Sequence, residues 1–275
     1  MSKKYKPYWD KTISIRKKIG SPGRPSKAEA KIYERLFRKV TGNKRYKAVI
    51  LGSTPELRDI VLKHKSEVTA VDISLDALLK LRYLMKQNWE DEILIRDNWL
   101  HMPLESNEYR VVLGDLIFAN LFLKDWDNLL IKLRELISKG GYFILREHLA
   151  PPLDRIKNQT NTVYNRCLIG KEHSNTLFIN FLYLTYHNSD KSYSANLARN
   201  LLKLYLQNKV KTKQVRNLVN NLLVYRCWDD KKWFMLPQKL LERKLSKYFI
   251  IKGRYFGQDH FFSEYFPIYL LKVRK

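Results

Sequence analysis

The stretch Lys47-Ala48-Val49-Ile50-Leu51-Gly52-Ser53-Thr54-Pro55-Glu56-Leu57 decides the fold. Ala48–Leu51 is a short apolar run of the kind buried in a parallel sheet. Gly52 ends it. Thr54 stands where a helix N-cap would, and Pro55 fits the first helical position. Leu57, Ile60, Val61 and His64 then share one helical face. A second run, Val68-Thr69-Ala70-Val71, ends in Asp72, 20 residues after Gly52. Strand, glycine turn, helix and a strand closing on an acid make a nucleotide-binding half. Its carboxylate is spaced for ribose hydroxyls.

The alternation extends in both directions. Upstream, residues 1–25 read as an irregular basic arm, stopped by Ser21-Pro22-Gly23-Arg24-Pro25. Ser26 and Glu29 form a capping box, and a helix runs to about Val40 before Gly42-Asn43. Downstream, a helix spans Ser74 to about Lys86. Strands follow at Ile93–Ile95 and Arg110–Leu113, the latter leading into Gly114-Asp115. Asp125–Lys139 reads as a helix with Trp126, Leu129, Leu130, Leu133 and Ile137 inward, closed by Gly140-Gly141. Tyr142–Leu145 is a fifth strand. Such alternation predicts an α/β fold with a parallel sheet and right-handed crossovers.

After Ala150-Pro151-Pro152 the alternation stops. Residues 151–235 read as a helical insertion or cap, with patterns at Leu177–Tyr186, Ser194–Leu206 and Val215–Val224. A helix near Pro237–Lys247 leads to two apolar runs, Tyr248–Ile251 and Pro267–Val273, which fit antiparallel strands at the sheet edge. The expected division is a basic arm and helix (1–45), a cofactor-binding core (46–150), the insertion (151–235) and a closing helix and strand pair (236–275).

The 275 residues are 45% hydrophobic, enough for one large α/β domain with an insertion. The formal charge of +25 is uneven. Residues 1–50 hold 16 Lys/Arg against 3 Asp/Glu, residues 51–150 hold 13 against 16, and residues 151–275 hold 23 against 8. A near-neutral middle with basic flanks leaves two readings open: attraction of nucleic acid, or solvated lysine-rich faces. The first residues lack an apolar signal segment, and no run is long enough to span a membrane. A cytoplasmic protein is therefore expected. Cys167 and Cys227 lie far apart, without a CxxC, and are expected to be free buried thiols.

The turn after the first strand separates the nucleotides. Dinucleotide binders need several glycines so that backbone can approach a pyrophosphate. Gly52-Ser53-Thr54-Pro55-Glu56 has one glycine, a proline without an N–H, and a glutamate that would repel a diphosphate. S-adenosylmethionine, with a sulfonium and no phosphate, suits such a turn.

On Val49–Leu57, Val71-Asp72-Ile73-Ser74, Asp97-Asn98-Trp99-Leu100-His101-Met102-Pro103-Leu104 and Val112-Leu113-Gly114-Asp115, the chain resembles the class I S-adenosylmethionine-dependent methyltransferases. Gly20–Ser26 also resembles the lead-in to one branch of that family. The likeness covers residues about 20–150 and the terminal strand pair. It implies a Rossmann-like, mostly parallel sheet of seven strands with the last antiparallel, and S-adenosylmethionine as cofactor. It implies that Gly52, Ser53 and Thr54 pass the methionine moiety, and that Asp72 takes the ribose hydroxyls. Ile73 would pack on adenine, Asn98 and Trp99 would border the base, and Asp115 and Leu116 would face the methyl-transfer side. Two departures stand out. Only Gly52 remains of a GxGxG turn, and Asn98 occupies the slot where the family often has an acid.

Glu147 and His148, just past the fifth strand, are the candidate catalytic bases. Tyr8, Trp9 and Arg24 are candidates for a lid. Gly114-Asp115-Leu116-Ile117 is not the Pro-Pro-aromatic element of DNA amino-methylating enzymes, and neither cysteine follows a proline as a cytosine C5 nucleophile must. The sequence thus predicts a methyltransferase for a small molecule or peptide held under the insertion. An RNA acceptor, or a non-catalytic nucleic-acid-binding module, remains as the alternative. No residue identifies the acceptor or the oligomeric state.

Overall fold

The computed structural model describes residues 13, 16–187, 189–207, 209, 212–222 and 231–274. Strands β1 (Lys47–Leu51), β2 (Glu67–Asp72), β3 (Ile93–Arg96), β4 (Tyr109–Asp115) and β5 (Ile137–Arg146) are mutually parallel. Between them lie α1 (Lys27–Thr41, before β1), α2 (Pro55–Lys63), α3 (Leu75–Lys80) and α4 (Trp126–Leu136). The insertion holds α5 (Leu153–Leu168), α6 (Ser174–Tyr183), α7 (Ala195–Gln207) and α8 (Lys213–Leu222). It also holds a small antiparallel sheet of β6 (Tyr186–His187), β7 (Ser192–Ser194) and β8 (Lys232–Phe234). Then come α9 (Gln238–Leu245), β9 (Phe249–Tyr255) and β10 (Ile268–Val273). The main sheet has seven strands in the order β3-β2-β1-β4-β5-β10-β9. β10 runs against both β5 and β9, so it alone is antiparallel to the rest. This is the Rossmann-like sheet expected.

The strands alternate their side chains between two cores. Ala48 and Ile50 of β1, Val111 and Leu113 of β4 and Ile144 of β5 meet Tyr33, Leu36 and Phe37 of α1 and Leu57 and Val61 of α2. Val49, Leu51, Val112, Phe143 and Leu145 face the other way, onto α4. That second core runs without a break into α5, α6, α7 and α8, so the insertion shares the apolar interior of the sheet. All ten positions of α6 are buried.

The Ser26 hydroxyl accepts from Glu29 N–H at 3.1 Å and the Glu29 carboxylate accepts from Ser26 N–H at 2.7 Å, completing the capping box of α1. Burying Tyr33, Leu36, Phe37 and Val40 stabilises this helix by roughly 1.5–3 kcal/mol per side chain. The Tyr33 hydroxyl donates to Gly114 O at 2.6 Å and accepts from Arg146 N–H at 2.7 Å, touching both central strands. Arg146 is fully buried and binds Asp115 at 2.6 Å, Glu29 at 2.6 Å and the Pro22 carbonyl at 3.1 Å.

Several local expectations are corrected. Thr54 occupies the N-cap of α2, but its side chain makes no capping bond. The inward face of α2 includes Arg58, fully buried in a pair with Glu92, whereas His64 is half-buried beside Glu34. α3 stops at Lys80 and a 3-10 turn, Leu81–Leu84, follows. The chain then leaves the helix because the Asp59 carboxylate takes the N–H groups of Lys86 and Gln87, at 2.8 and 3.0 Å. α4 ends at Leu136, and Ile137 already belongs to β5. Ile137 is buried, which helix and strand readings both predict. Gly140, at φ +77°, lies inside the strand near a register shift against β4, so it does not close a helix. Tyr186 and Ser194, read as helical, are strand residues. Cys167 is a free buried thiol, pushed up to about 12 by burial. Cys227 lies outside the described residues. Among the described residues no helix is long and apolar enough to cross a membrane.

Candidate active site

A cavity of about 330 Å³ opens where β1, β2, β3 and β4 end, the crevice in which open α/β sheets hold ligands. Its floor is the Gly52 turn. Gly52 N–H donates to Val71 O at 2.7 Å, and its φ of +97° is left-handed. A Cβ there would make ordinary contact with Trp99 at 3.7 Å and Asp72 at 3.8 Å. Conformation, not space, therefore calls for glycine. The Ser53 side chain lies near the Asp72 carboxylate and favours its ionised form.

Asp72 is 7% exposed at the end of β2, and its Oδ1 accepts from Ser74 N–H at 2.9 Å. Burial pushes this carboxyl up to about 6, against the pull of its hydrogen bonds. The carboxylate thus tethers the start of α3 and also lines the cavity. Ile73 lines it too. The Trp99 indole N–H donates to Val71 O at 2.7 Å, which holds the ring across the Gly52 turn. The Asn98 side-chain Oδ1 accepts from Leu100 N–H at 3.1 Å, and Asn98 backbone N–H donates to the Asp97 carboxylate at 2.6 Å. Asp97 shares the cavity wall with Asn98.

Asp115 lines the cavity with its carboxylate committed to Arg146. Burial raises it and the guanidinium opposes that rise. Leu116 has φ +56°, a conformation costing about 1–2 kcal/mol for a residue with a Cβ. It is held there by its N–H on Arg146 O at 2.9 Å and by the Asn120 amide on its carbonyl at 2.6 Å. All nine residues expected around the cofactor, Gly52, Ser53, Thr54, Asp72, Ile73, Asn98, Trp99, Asp115 and Leu116, line this one cavity.

The two catalytic candidates separate. His148 lines the cavity, 2.6 Å from the Tyr183 hydroxyl through Nε2 and stacked on Phe266 at 4.2 Å. Burial first, then Arg146 and His260, pushes it well below the usual histidine range, so the ring is neutral at pH 7. Glu147 is not a wall residue. Its buried carboxylate accepts the N–H groups of Phe118 at 2.9 Å, Ala119 at 3.3 Å and His148 at 3.0 Å. Burial brings that carboxyl up to about 7. It fixes the 3-10 turn Phe118–Asn120 from behind the cavity wall.

Two further expectations change. Glu56 pairs with Arg24, so its charge is compensated and it does not face the cavity. Arg24 is tied to the first turn of α2 and forms no lid. Tyr8 and Trp9 lie outside the described residues.

Sequence reading missed two cations in the wall. Arg16 sits on a 3-10 turn, Arg16–Lys18, and Lys231 directly precedes β8. The Arg16 Nε is buried and has no hydrogen-bond partner among the described residues. Burial lowers its guanidinium, opposed by Glu56 and Asp115. Nothing local marks either residue, because each is one basic residue in a basic flank.

No protein-family model matches the sequence, and no curated protein matches it. Solved structures share the fold. A structure from Rhodobacter sphaeroides, described as a candidate Zn-dependent alcohol dehydrogenase, is 14% identical with a TM-score of 0.63, over 98% of this chain and all of that one. The CcbJ methyltransferase from Streptomyces caelestis is 12% identical with a TM-score of 0.60, over 98% and 99%. The N-methyltransferase NodS from Bradyrhizobium japonicum WM9, in complex with S-adenosylhomocysteine, is 8% identical with a TM-score of 0.54, over 98% and 100%. The sheet order and these likenesses define the fold as the Rossmann-like one of S-adenosylmethionine-dependent methyltransferases. A shared fold does not carry chemistry, and the first likeness is tested at the site. Among the described residues no group of three His, Cys, Asp or Glu is placed to hold a metal, and the turn keeps its single glycine.

Proposed function

We propose that the chain is an S-adenosylmethionine-dependent methyltransferase acting on a small molecule held under the insertion. One observation carries this reading. The Asp72 carboxylate, the left-handed Gly52 turn and the buried Nε of Arg16, which has no hydrogen-bond partner among the described residues, converge on one cavity at the strand ends. A ribose diol, a backbone passing close to a turn, and a carboxylate are the three things such groups bind, and the cofactor has all three. When bound, S-adenosylmethionine supplies a methyl group made electrophilic by its sulfonium.

The residues divide the remaining work. Asp72 would accept from the ribose hydroxyls. Ile73 and Trp99 would enclose the base, and Asp97 would take its amino group beside Asn98. Gly52, Ser53 and Thr54 would pass the amino-acid chain, with Arg16 holding its carboxylate. Asp115, fixed by Arg146, and Leu116 would shape the reacting side. His148 is best placed to position an acceptor through its neutral ring, since its pairing with Tyr183 leaves it a poor base. Orientation in a closed cavity can provide much of the acceleration of such a displacement. We assign residues 151–235 as the cap, because α6 and β8 roof the cavity with Ile179, Leu182 and Trp233. The free buried Cys167 suits a reducing, cytoplasmic setting.

Binding of S-adenosylhomocysteine, followed by calorimetry, tests the reading. The expected result is a defined one-site isotherm. In Arg16→Met, S-adenosylhomocysteine should bind about tenfold or more weaker, the loss of one charge-assisted hydrogen bond. Affinity for 5′-methylthioadenosine, which lacks the amino-acid carboxylate, should be unchanged. Failure of the wild-type chain to bind S-adenosylhomocysteine would sink the proposal.

A further inference from the structure

Asn175, the second residue of α6, is fully buried and lines the cavity from the side of the insertion. Its amide has a fixed sense. Nδ2 donates to Gly20 O at 3.2 Å, so Oδ1 faces the other way, and that oxygen is buried with no hydrogen-bond partner among the described residues. Its backbone is held as well, because Asn175 N–H donates to His173 Nδ1 at 3.1 Å. The turn that Asn175 grips is also the turn that grips Arg16. Gly23 N–H donates to Gly20 O at 3.0 Å, and Gly23 O accepts from Arg16 Nη1 at 3.4 Å. Neither glycine has room for a side chain. A Cβ would stand 2.5 Å from the His173 ring at Gly20, and 2.8 Å from Asn175 Nδ2 at Gly23. The turn is therefore seated directly on the start of α6.

Arg16 Nε and Asn175 Oδ1 are thus a donor and an acceptor, each buried and each unsatisfied among the described residues. They do not bond each other, although one turn ties both residues to the same cavity. A buried polar atom without a partner is costly, so each marks a place for a ligand atom of the opposite sense. An α-amino acid offers both senses side by side, as a carboxylate and an ammonium. The rest of the wall does not oppose an ammonium. Its carboxylates are Asp72, Asp97, Asp115 and Asp125, its cations are Arg16 and Lys231, and His148 is neutral. Three of those carboxylates are already engaged, Asp72 by Ser74 N–H, Asp97 by Asn98 N–H and Asp115 by Arg146. Gly52 is the one glycine of its turn and Pro55 has no N–H, which leaves recognition of the amino-acid end to side chains.

Resting on the methyltransferase reading, we propose that the insertion completes the cofactor site: Asn175 Oδ1 accepts from the α-ammonium of S-adenosylmethionine while Arg16 holds its carboxylate. Asn175 lies outside the stretches that resemble the methyltransferase family, and it selects for a cofactor with a free amino group. The amino-acid end then bridges the N-terminal turn and the insertion, so the cap takes part in cofactor recognition as well as covering the acceptor.

Calorimetry on the full chain tests this with three ligands: S-adenosylhomocysteine, its deaminated analogue, which keeps the carboxylate, and 5′-methylthioadenosine, which lacks both groups. The wild type should bind S-adenosylhomocysteine at least about tenfold tighter than the deaminated analogue, the worth of a hydrogen bond to a charged group. In Asn175→Ala that preference should vanish through weaker S-adenosylhomocysteine binding alone. Affinity for the deaminated analogue should stay level, which a merely structural role in seating the turn would not allow. Unchanged 5′-methylthioadenosine binding reports that the variant folds. Asn175→Asp keeps an oxygen for the ammonium but loses the donor to Gly20, and it should retain the preference. Should the alanine variant fail to bind 5′-methylthioadenosine, the aspartate variant decides by the same measure. No amine preference in the wild type, a preference that survives in Asn175→Ala, equal loss of both amino-acid-end ligands in that variant, or no preference in Asn175→Asp would each overturn the proposal. Failure of the wild type to bind any of the three ligands would instead overturn the cofactor reading on which it rests.

Discussion

Asp72 shows how a single side chain serves folding and ligand binding with opposite preferences. Its folded carboxyl titrates near 6, above the ordinary 3.8, because it is buried. The fold therefore favours the protonated form. Its stabilising contribution is full below about pH 4 and is lost as pH rises through 6, a difference of up to about 3 kcal/mol. Ribose hydroxyls, in contrast, need the ionised carboxylate. Asp72→Asn should raise the melting temperature of the ligand-free protein at pH 8 and leave it nearly unchanged at about pH 3.5, below the unfolded pKa. The same variant should bind S-adenosylhomocysteine at least about tenfold more weakly at pH 8. Wild-type affinity should fall as pH drops below 6. Asp72 and Gly52 were legible in the sequence because strand, turn and helix place them by local spacing. Arg16 and Lys231 were not, because they reach the cavity only through contacts across the fold. The place of Glu147 behind the wall was hidden for the same reason: its N–H partners at Phe118 and Ala119 come from another loop.

At the scale of elements, apolar periodicity gave type and order but not ends. α4 and β5 meet at Ile137, where a buried side chain satisfies both patterns, so periodicity cannot locate the junction. The start of α1 was legible because Ser26 and Glu29 announce it locally, yet the larger share of that junction is tertiary. Burial alone would raise the Glu29 carboxyl, but Arg146 and His260 hold it below the usual range. Arg146 in turn stays charged through Asp115 and Glu29 despite its burial. Arg146→Met would strand two buried carboxylates. It should cost about 3–5 kcal/mol in urea unfolding. Ser26→Ala, which removes a cap, should cost about 1 kcal/mol. Similar losses for the two variants would show that the network is not what joins α1 to the sheet.

Over the whole molecule, the sheet and its two cores were readable from alternation, whereas the three-stranded sheet of the insertion was not. Its strands are two or three residues long, too short for a period to register. The charge of +25 also belongs to this scale. Surface pairs such as Lys47–Glu108 and Lys244–Asp127 compensate little of it. Single-stranded RNA and DNA should be retained alike at low salt and released by about 0.2 M, with Asp72→Asn indistinguishable from wild type. RNA retention that outlasts that salt and prefers one sequence would favour an RNA acceptor. The Tyr33 hydroxyl has a consequence for the whole crevice. It stands between Gly114 O and Arg146 N–H, where the β4–β5 ladder would otherwise close one more rung. The phenol acts as a wedge that keeps two strands ajar at the mouth of the cavity. Tyr33→Phe would leave a buried donor and acceptor apart, costing about 1–3 kcal/mol, unless the strands zip shut. Zipping would preserve stability but carry Asp115 and Leu116 inward. The expected sign is a near-normal melting temperature with weakened S-adenosylhomocysteine binding, so the width of the crevice is set from behind the sheet, by a residue that never meets the ligand.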